Sequence, residues 1–251
     1  MVLKMKVTIA CSTMYGKEPL FLSQNNFENY IVINQCNQKN QENPNFLNFY
    51  EKGLSLSRNR AIENIDDGIV IITDNDVYFS KDTIQRVVSA FEKYSDMDIL
   101  TFQFETPNGE YTKKYKNYFF KHNKFTLSKV ASIEIAFRVK SIKDKGLKFN
   151  EKFGLGSVYK SSEEYIFLVD ALEKGLKIGF VPEVISYHPN EASGSNFNNL
   201  ELIVAKGAMI RKVFGIIGFP ICFYMAFRKY KLSNYSFYKF ISLMLNGFLN
   251  K

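Results

Sequence analysis

Short apolar runs recur along the first part of the chain, at residues 7–11, 30–33, 69–72 and 99–104, the last closed by Pro107, Asn108 and Gly109. Each is too short for a helix and rich in β-branched or aromatic residues, so each predicts a buried strand. Helical spacing fills the gaps. Ser80 is placed to cap a helix whose Ile84, Val87, Val88 and Phe91 fall at i, i+3, i+4 and i+7, and residues 59–65 set Ala61, Ile62 and Ile65 on one face. Continuous apolar strands alternating with helices predict an α/β chain, with a mostly parallel sheet covered on both faces.

Further along, residues 111–129 interrupt the pattern. They hold Lys113, Lys114, Lys116, Lys121, Lys124 and Lys129 among aromatic residues. That suits a flap near phosphates or membrane, or equally a solvated hairpin, with His122 at its surface. Residues 132–139 predict another strand and residues 163–174 a helix ended by Gly175. Residues 178–181 and 184–187 predict two short strands split by Pro182.

Composition and charge add a second element to this picture. A chain of 251 residues with 46% hydrophobic content fits one α/β domain, or one domain with a short appendage. Cys11, Cys36 and Cys222 lack metal-ligand spacing; Cys11 and Cys36 fall in apolar runs and read as buried thiols of a reducing compartment. Residues 1–13 read as a first strand and not as a signal peptide. The net charge of +8 is concentrated at the C-terminal end, where Arg211, Lys212, Arg228, Lys229, Lys231, Lys239 and Lys251 occur without a single Asp or Glu. Within that stretch residues 213–227 are apolar throughout, but 15 residues fall short of the roughly 20 a spanning helix needs. Phe237, Phe240, Ile241, Met244, Leu245 and Phe248 add a second apolar face. A basic, apolar segment of this kind predicts an amphipathic helical tail lying on an anionic membrane surface; the alternative is a helical pair that packs internally or dimerises. The expected division is a catalytic domain over 1–205 and a tail over 206–251.

The chemistry concentrates at three places. Thr73-Asp74-Asn75-Asp76 follows directly on the buried run 69–72. Ligands of open α/β sheets bind beyond the carboxyl ends of strands, and residues two apart in extended chain point the same way. Asp74 and Asp76 therefore converge, and paired carboxylates with hard oxygens suit Mn²⁺ or Mg²⁺ shared with substrate phosphates; the bland reading is an Asp/Asn turn. Upstream, Gly53-Leu54-Ser55-Leu56-Ser57-Arg58-Asn59 leads into a helix. Arg58 suits either a phosphate or the ordering of the Asp-x-Asp turn, and Ser57 reads as a helix cap. Phe153-Gly154-Leu155-Gly156-Ser157 precedes Ser161-Ser162-Glu163-Glu164, where a carboxylate at a helix start serves as a general base or, as Ser161-x-x-Glu164, as a capping box. A neutral His188 is a candidate third ligand for a divalent ion.

The ordered set Gly-Leu-Ser-x-Ser-Arg-Asn, Thr-Asp-Asn-Asp, Ser-x-Glu, Phe-Gly-x-Gly, Glu-Glu and Tyr-His-Pro resembles the family 2 glycosyltransferases of GT-A fold, in particular bacterial enzymes of capsule or O-antigen assembly, over residues 7–194. The resemblance implies a Rossmann-like sheet flanked by helices and a nucleotide-sugar donor, with UDP-sugar the leading expectation. It implies that Thr13, Asn34 and Gln35 border the nucleotide base and that Arg58, Asn59, Asp74, Glu134 and Gly156 contribute to substrate binding. It implies Asp74 and Asp76 as the metal motif, completed by His188, and maps the family's Glu-Asp pair onto Glu163 and Glu164. Its second residue, the base, falls on Glu164; Glu replaces the usual Asp, so both carboxylates stay candidates. The first strand ends Ala-Cys-Ser-Thr-Met, where the family commonly has Pro-Thr-Tyr-Asn.

Together these readings predict an inverting, metal-dependent hexosyltransferase of polysaccharide biosynthesis, acting on a lipid-linked saccharide at the cytoplasmic membrane face. Nucleic acid is not among the expected partners, whereas a homodimer is. The competing readings are a nucleotidyltransferase, disfavoured because no Gly-rich phosphate loop with Lys follows the first strand, and an inactive membrane-bound glycan-binding or scaffold protein.

Overall fold

The structure is a computed structural model and describes residues 5–24, 27–35, 43–188 and 196–250. Cys36, expected as a buried thiol, lies outside the described residues; Cys11 is buried. The chain divides into two compact units, one made of residues 1–52, 56–149 and 167–190, the other of 53–55, 150–166 and 191–251.

The first unit is built on a nine-stranded sheet. Its strands are β1 (Val7–Met14), β2 (Tyr30–Gln35), β3 (Phe46–Phe49), β4 (Ile69–Asp74), β5 (Tyr78–Phe79), β6 (Ile99–Glu105), β7 (Phe120–Lys121), β8 (Ile135–Arg138) and β9 (Ile178–Tyr187). The order is β3-β2-β1-β4-β8-β6-β9-β5, with β7 also on β9. The extensive pairings, β1 with β2, β1 with β4, β2 with β3 and β6 with β9, are parallel. The antiparallel ones are short. The long parallel pairings are what near-continuous apolar strands require, since both their faces are covered. On one face Val7, Ile9, Cys11, Ile69 and Ile71 pack in a core with Val87, Val88, Ala90 and Phe91 of helix α2 (Thr83–Lys93). On the other, Phe137 of β8 meets Phe167 of the helix that starts at Glu163, and Phe149 stacks on Phe167 with ring centroids 4.0 Å apart.

Three local expectations change. The N-cap of α2 is Asp82, without a side-chain cap bond; Ser80 Oγ instead lies 3.0 Å from Thr83 Oγ1. Residues 132–134 form a 3₁₀ turn before β8, and Val139 already opens a short helix. Pro182 does not split a strand. β9 runs through it, because the register against β6 shifts between Thr101 and Gln103, where Pro182 has no ladder bond to give.

The second unit holds the loop 150–160, the head of helix α5 (Glu163–Glu173), and helices α6 (Leu200–Phe214), α7 (Phe219–Lys229) and α8 (Phe237–Leu249). Asn199 caps α6 through the Glu201 amide and Ser236 caps α8 through that of Lys239. α6 and α8 touch backbone to backbone. A Cβ at Gly207 would overlap the Met244 carbonyl oxygen, and one at Gly247 the Val204 carbonyl oxygen. The expected boundary at residue 206 therefore falls inside α6, whose apolar face is covered by the very helices assigned to the tail.

Candidate active site

β1, β2 and β4 end together at their carboxyl edge, where Ser12 is level with Asp74 and Thr13 with Asn34. The chain leaves β1 through Tyr15 and Gly16, both with positive φ (58° and 69°). Side chains at the strand ends fix this corner. Asn34 Oδ1 accepts from the Gly16 amide at 2.8 Å, and Asn34 Nδ2 donates to Asn48 at 2.8 Å. Thr13 Oγ1 donates to the Lys17 carbonyl at 2.7 Å and accepts from Asn75 Nδ2 at 2.9 Å. Thr13, Asn34 and Gln35, expected at a nucleotide base, lie together at the carboxyl edge of β1 and β2, where all three are buried.

The Asp-x-Asp turn caps β4. Arg58, from helix α1 (Leu54–Glu63), is almost wholly buried, lies over the Phe149 ring and donates to Asp74 Oδ1 at 3.2 Å. Of its two sequence-level roles, ordering the turn is the one seen. Ser132 Oγ adds a 3.4 Å bond to Asp74 Oδ2. Ser57 lies inside the first turn of α1 and not at its cap, and its hydroxyl donates to Ser12 Oγ at 2.7 Å. Asn59 exchanges two hydrogen bonds with the Phe149 backbone, at 3.0 and 2.8 Å, and is buried.

Asp76 follows on the turn. His188, just past β9, brings Nε2 to 3.4 Å from Asp76 Oδ1, a buried oxygen. His188 holds the Asp76 carboxyl below the usual carboxylate range, with burial working against it. This donor set fits a hard divalent cation: two neighbouring carboxylates, one with a buried oxygen whose partner, His188 Nε2, lies at a long 3.4 Å. Among the described residues, however, no three His, Cys, Asp or Glu side chains surround one point. His188 is a partner of Asp76 here, so an ion at Asp76 would draw its remaining ligands from substrate oxygens and water, as Mg²⁺ commonly does.

Glu134 is the clearest departure among the expected substrate contacts. It is buried, accepts from Lys113 Nζ at 2.6 Å and from the Ala131 amide at 2.6 Å, and receives the Tyr115 hydroxyl. Burial raises its pKa while these donors oppose the rise. In this structure Glu134 anchors the lysine-rich segment from inside. His122, read as a surface residue, is partly buried between Thr101 Oγ1 at 2.8 Å and Thr126 Oγ1 at 3.0 Å, and burial lowers its pKa to about 4.

Glu163 and Glu164 open α5 in the second unit. Glu163 is buried beside Gly154, where a Cβ would sit 3.3 Å from its Cγ and Cδ. Glu164 is partly exposed. Gly154 and Gly156 take φ of 101° and 81°, a region that favours glycine, so the Gly-x-Gly shapes a loop with Leu155 and Val158 exposed. Ser162 has φ of 75°, a left-handed conformation costing a non-glycine residue on the order of 1–2 kcal/mol. The hydroxyls of Ser161 and Ser162 accept from Lys206 Nζ at 3.1 and 3.0 Å. Lys206 carries no local signal in the sequence, being one more cation of a basic tail.

The fold is that of the GT-A glycosyltransferases. A sequence model of glycosyl transferase family 2 matches residues 32–143, the part of the chain that holds Arg58, Asp74, Asp76 and Glu134. No curated protein matches the chain at the sequence level. Among solved structures, S. aureus TarS superposes with a TM-score of 0.58 at 17% identity over 92% of this chain; the chain spans 44% of that structure's length. TarS 1-349 in complex with UDP-GlcNAc gives a TM-score of 0.60 at 16% identity, covering 91% of this chain and 74% of that one. A mycobacterial protein gives 0.55 at 12% identity, covering 83% and 75%.

Proposed function

We propose that the protein is an inverting glycosyltransferase that moves a sugar from a nucleotide-diphosphate donor to a saccharide acceptor. The observation that carries this reading is the Asp74-Asn75-Asp76 turn at the carboxyl end of β4, locked by the buried Arg58, inside the segment matched by the family 2 model. The solved TarS complexes with UDP and UDP-GlcNAc support a UDP-sugar as donor. Asp76 and Asp74, with His188 beside them, are the residues to hold Mn²⁺ or Mg²⁺, which when bound would neutralise the departing diphosphate. Glu164, with Glu163 as the alternative, takes the proton from the acceptor hydroxyl. That oxygen bonds to the anomeric carbon from the face opposite the leaving diphosphate, which departs with the electron pair of the broken C–O bond.

The acceptor we infer is a lipid-linked glycan of surface-polysaccharide assembly, reached at the inner membrane face. Among the described residues no helix is long and apolar enough to cross a membrane. α7 turns Phe219, Phe223, Tyr224 and Phe227 outward while burying Cys222 and Ala226, and Ile216 and Ile217 stand exposed just before it, Ile217 at 84%. Arg211, Lys212, Arg228 and Lys229 flank these side chains, a combination suited to an anionic headgroup layer.

The test is incubation with UDP-, GDP- and dTDP-sugars plus Mn²⁺. Release of nucleoside diphosphate with sugar transfer is expected. Pyrophosphate release would instead identify a nucleotidyltransferase, and absence of turnover across the panel a glycan-binding protein.

A further inference from the structure

The second unit contains a polar cluster that the proposed chemistry does not yet use. Lys206 extends from the middle of α6 to the corner where the chain enters α5, and its Nζ donates to Ser161 Oγ at 3.1 Å and Ser162 Oγ at 3.0 Å. That corner is strained: Ser162 is buried and left-handed, with φ of 75°. Such a conformation persists where its surroundings over-determine it, and it concentrates where direction matters to function. The residues whose direction it sets are Glu163 and Glu164. We propose that Lys206 is a positioning residue for the transfer reaction: it pins the Ser161 and Ser162 corner, aims the two carboxylates at the head of α5, and faces them with a positive charge.

The charged groups around the cluster come from three helices: Glu163 and Glu164 on α5, Lys206 on α6 and Lys229 on α7. Burial lowers the Lys206 pKa, Glu164 and then Glu163 raise it, and Lys229 lowers it again. An ammonium with three donors can bridge two hydroxyls and still point charge at a carboxylate. The same ammonium directs positive charge toward the carboxylates at the head of α5.

The inference rests on Glu164, or Glu163, being the base, and the experiment separates the two claims. Full-length wild type, Lys206→Met, Glu164→Gln and Glu163→Gln are compared with the donor found active in the sugar panel. Each is followed for kcat against pH, KM for donor and melting temperature. Lys206→Met is expected to lower kcat by about 10- to 100-fold, the scale of general-base effects, with KM for donor within about twofold. With the facing cation removed, the acid limb of the kcat profile is expected to move to higher pH. A wild-type kcat, or a reduced kcat with an unmoved acid limb, overturns the proposal. If both Glu→Gln variants keep full turnover, the base reading fails, whatever Lys206 does. If Lys206→Met melts far below wild type, Lys206→Gln keeps a donor at the corner but no charge. Its acid limb must still move upward, and an unmoved one overturns the proposal equally.

Discussion

At the scale of single residues, Asp74 and Asp76 are neighbours with different attachments, and this separates chemistry from stability. Asp74 is the partner of a buried guanidinium, so Asp74→Asn weakens the charge pairing of Arg58 and is expected to lower stability by about 1–3 kcal/mol besides its effect on turnover. Asp76 faces His188 at the edge of the turn. Asp76→Asn is expected to abolish turnover and weaken Mn²⁺-dependent nucleotide binding at a nearly unchanged melting temperature. Full activity of that variant, or of wild type in excess EDTA, would remove the metal from the proposal. Glu164→Gln is expected to lose at least ~10²-fold in rate with donor binding retained. His122 carries a pH prediction. Its folded pKa of about 4 lies below the ordinary 6.5, so the unfolded chain binds the extra proton between those values. Stability is therefore full above about pH 6.5 and falls on acidification toward pH 4, at no more than about 1.4 kcal/mol per unit. Melting curves of wild type and His122→Gln over this range should differ in slope, with the variant flatter. The two acids were legible in the sequence because a β-branched run precedes them. Arg58 was legible as a partner of that turn, but the burial of Glu134 and the Lys206 contact were not, since each depends on a side chain brought from elsewhere in the chain.

At the scale of elements, the apolar runs found the strands other than β3, β5 and β7. β5 and β7 have two residues each, too few for alternation to register, and β3 has four of which only Phe46 is buried. Pro182 misled because proline usually ends a strand, whereas here it occupies the irregular stretch of the β6 ladder. The α6–α8 contact was also illegible: the two glycines that permit it, Gly207 and Gly247, lie far apart in sequence. Gly207→Ala must push α8 away from its carbonyl contact, and overpacking of this kind costs typically 1–3 kcal/mol. Thermal melting should show the loss. An unchanged melting temperature would mean that the helices yield without cost and that the close crossing has no structural weight.

At the scale of the whole molecule, the concentration of cations and exposed aromatics at the C-terminal end predicts how the protein partitions. Flotation with phosphatidylglycerol vesicles is expected, at about 1 kcal/mol per cation near the surface, weakening as salt rises without vanishing because apolar insertion is not screened. Substituting Ile216 and Ile217 by Ser should remove the salt-resistant part, and flotation unaffected by that change would assign the anchor elsewhere. Truncation ahead of Arg211 is a poor substitute, because it cuts α6 short and removes α8 from its close backbone contact with α6 at Val204 and Gly207. The outward face of α7 also has a consequence for the protein in plain buffer. Deprived of lipid, Phe223, Tyr224 and Phe227 can leave water only by meeting another copy. The apparent molar mass should climb with protein concentration and collapse to that of a single chain when a mild detergent supplies the missing hydrocarbon. A constant mass under both conditions would mean the aromatic face tolerates water. A dimer that survives detergent would point to an interface of a different kind.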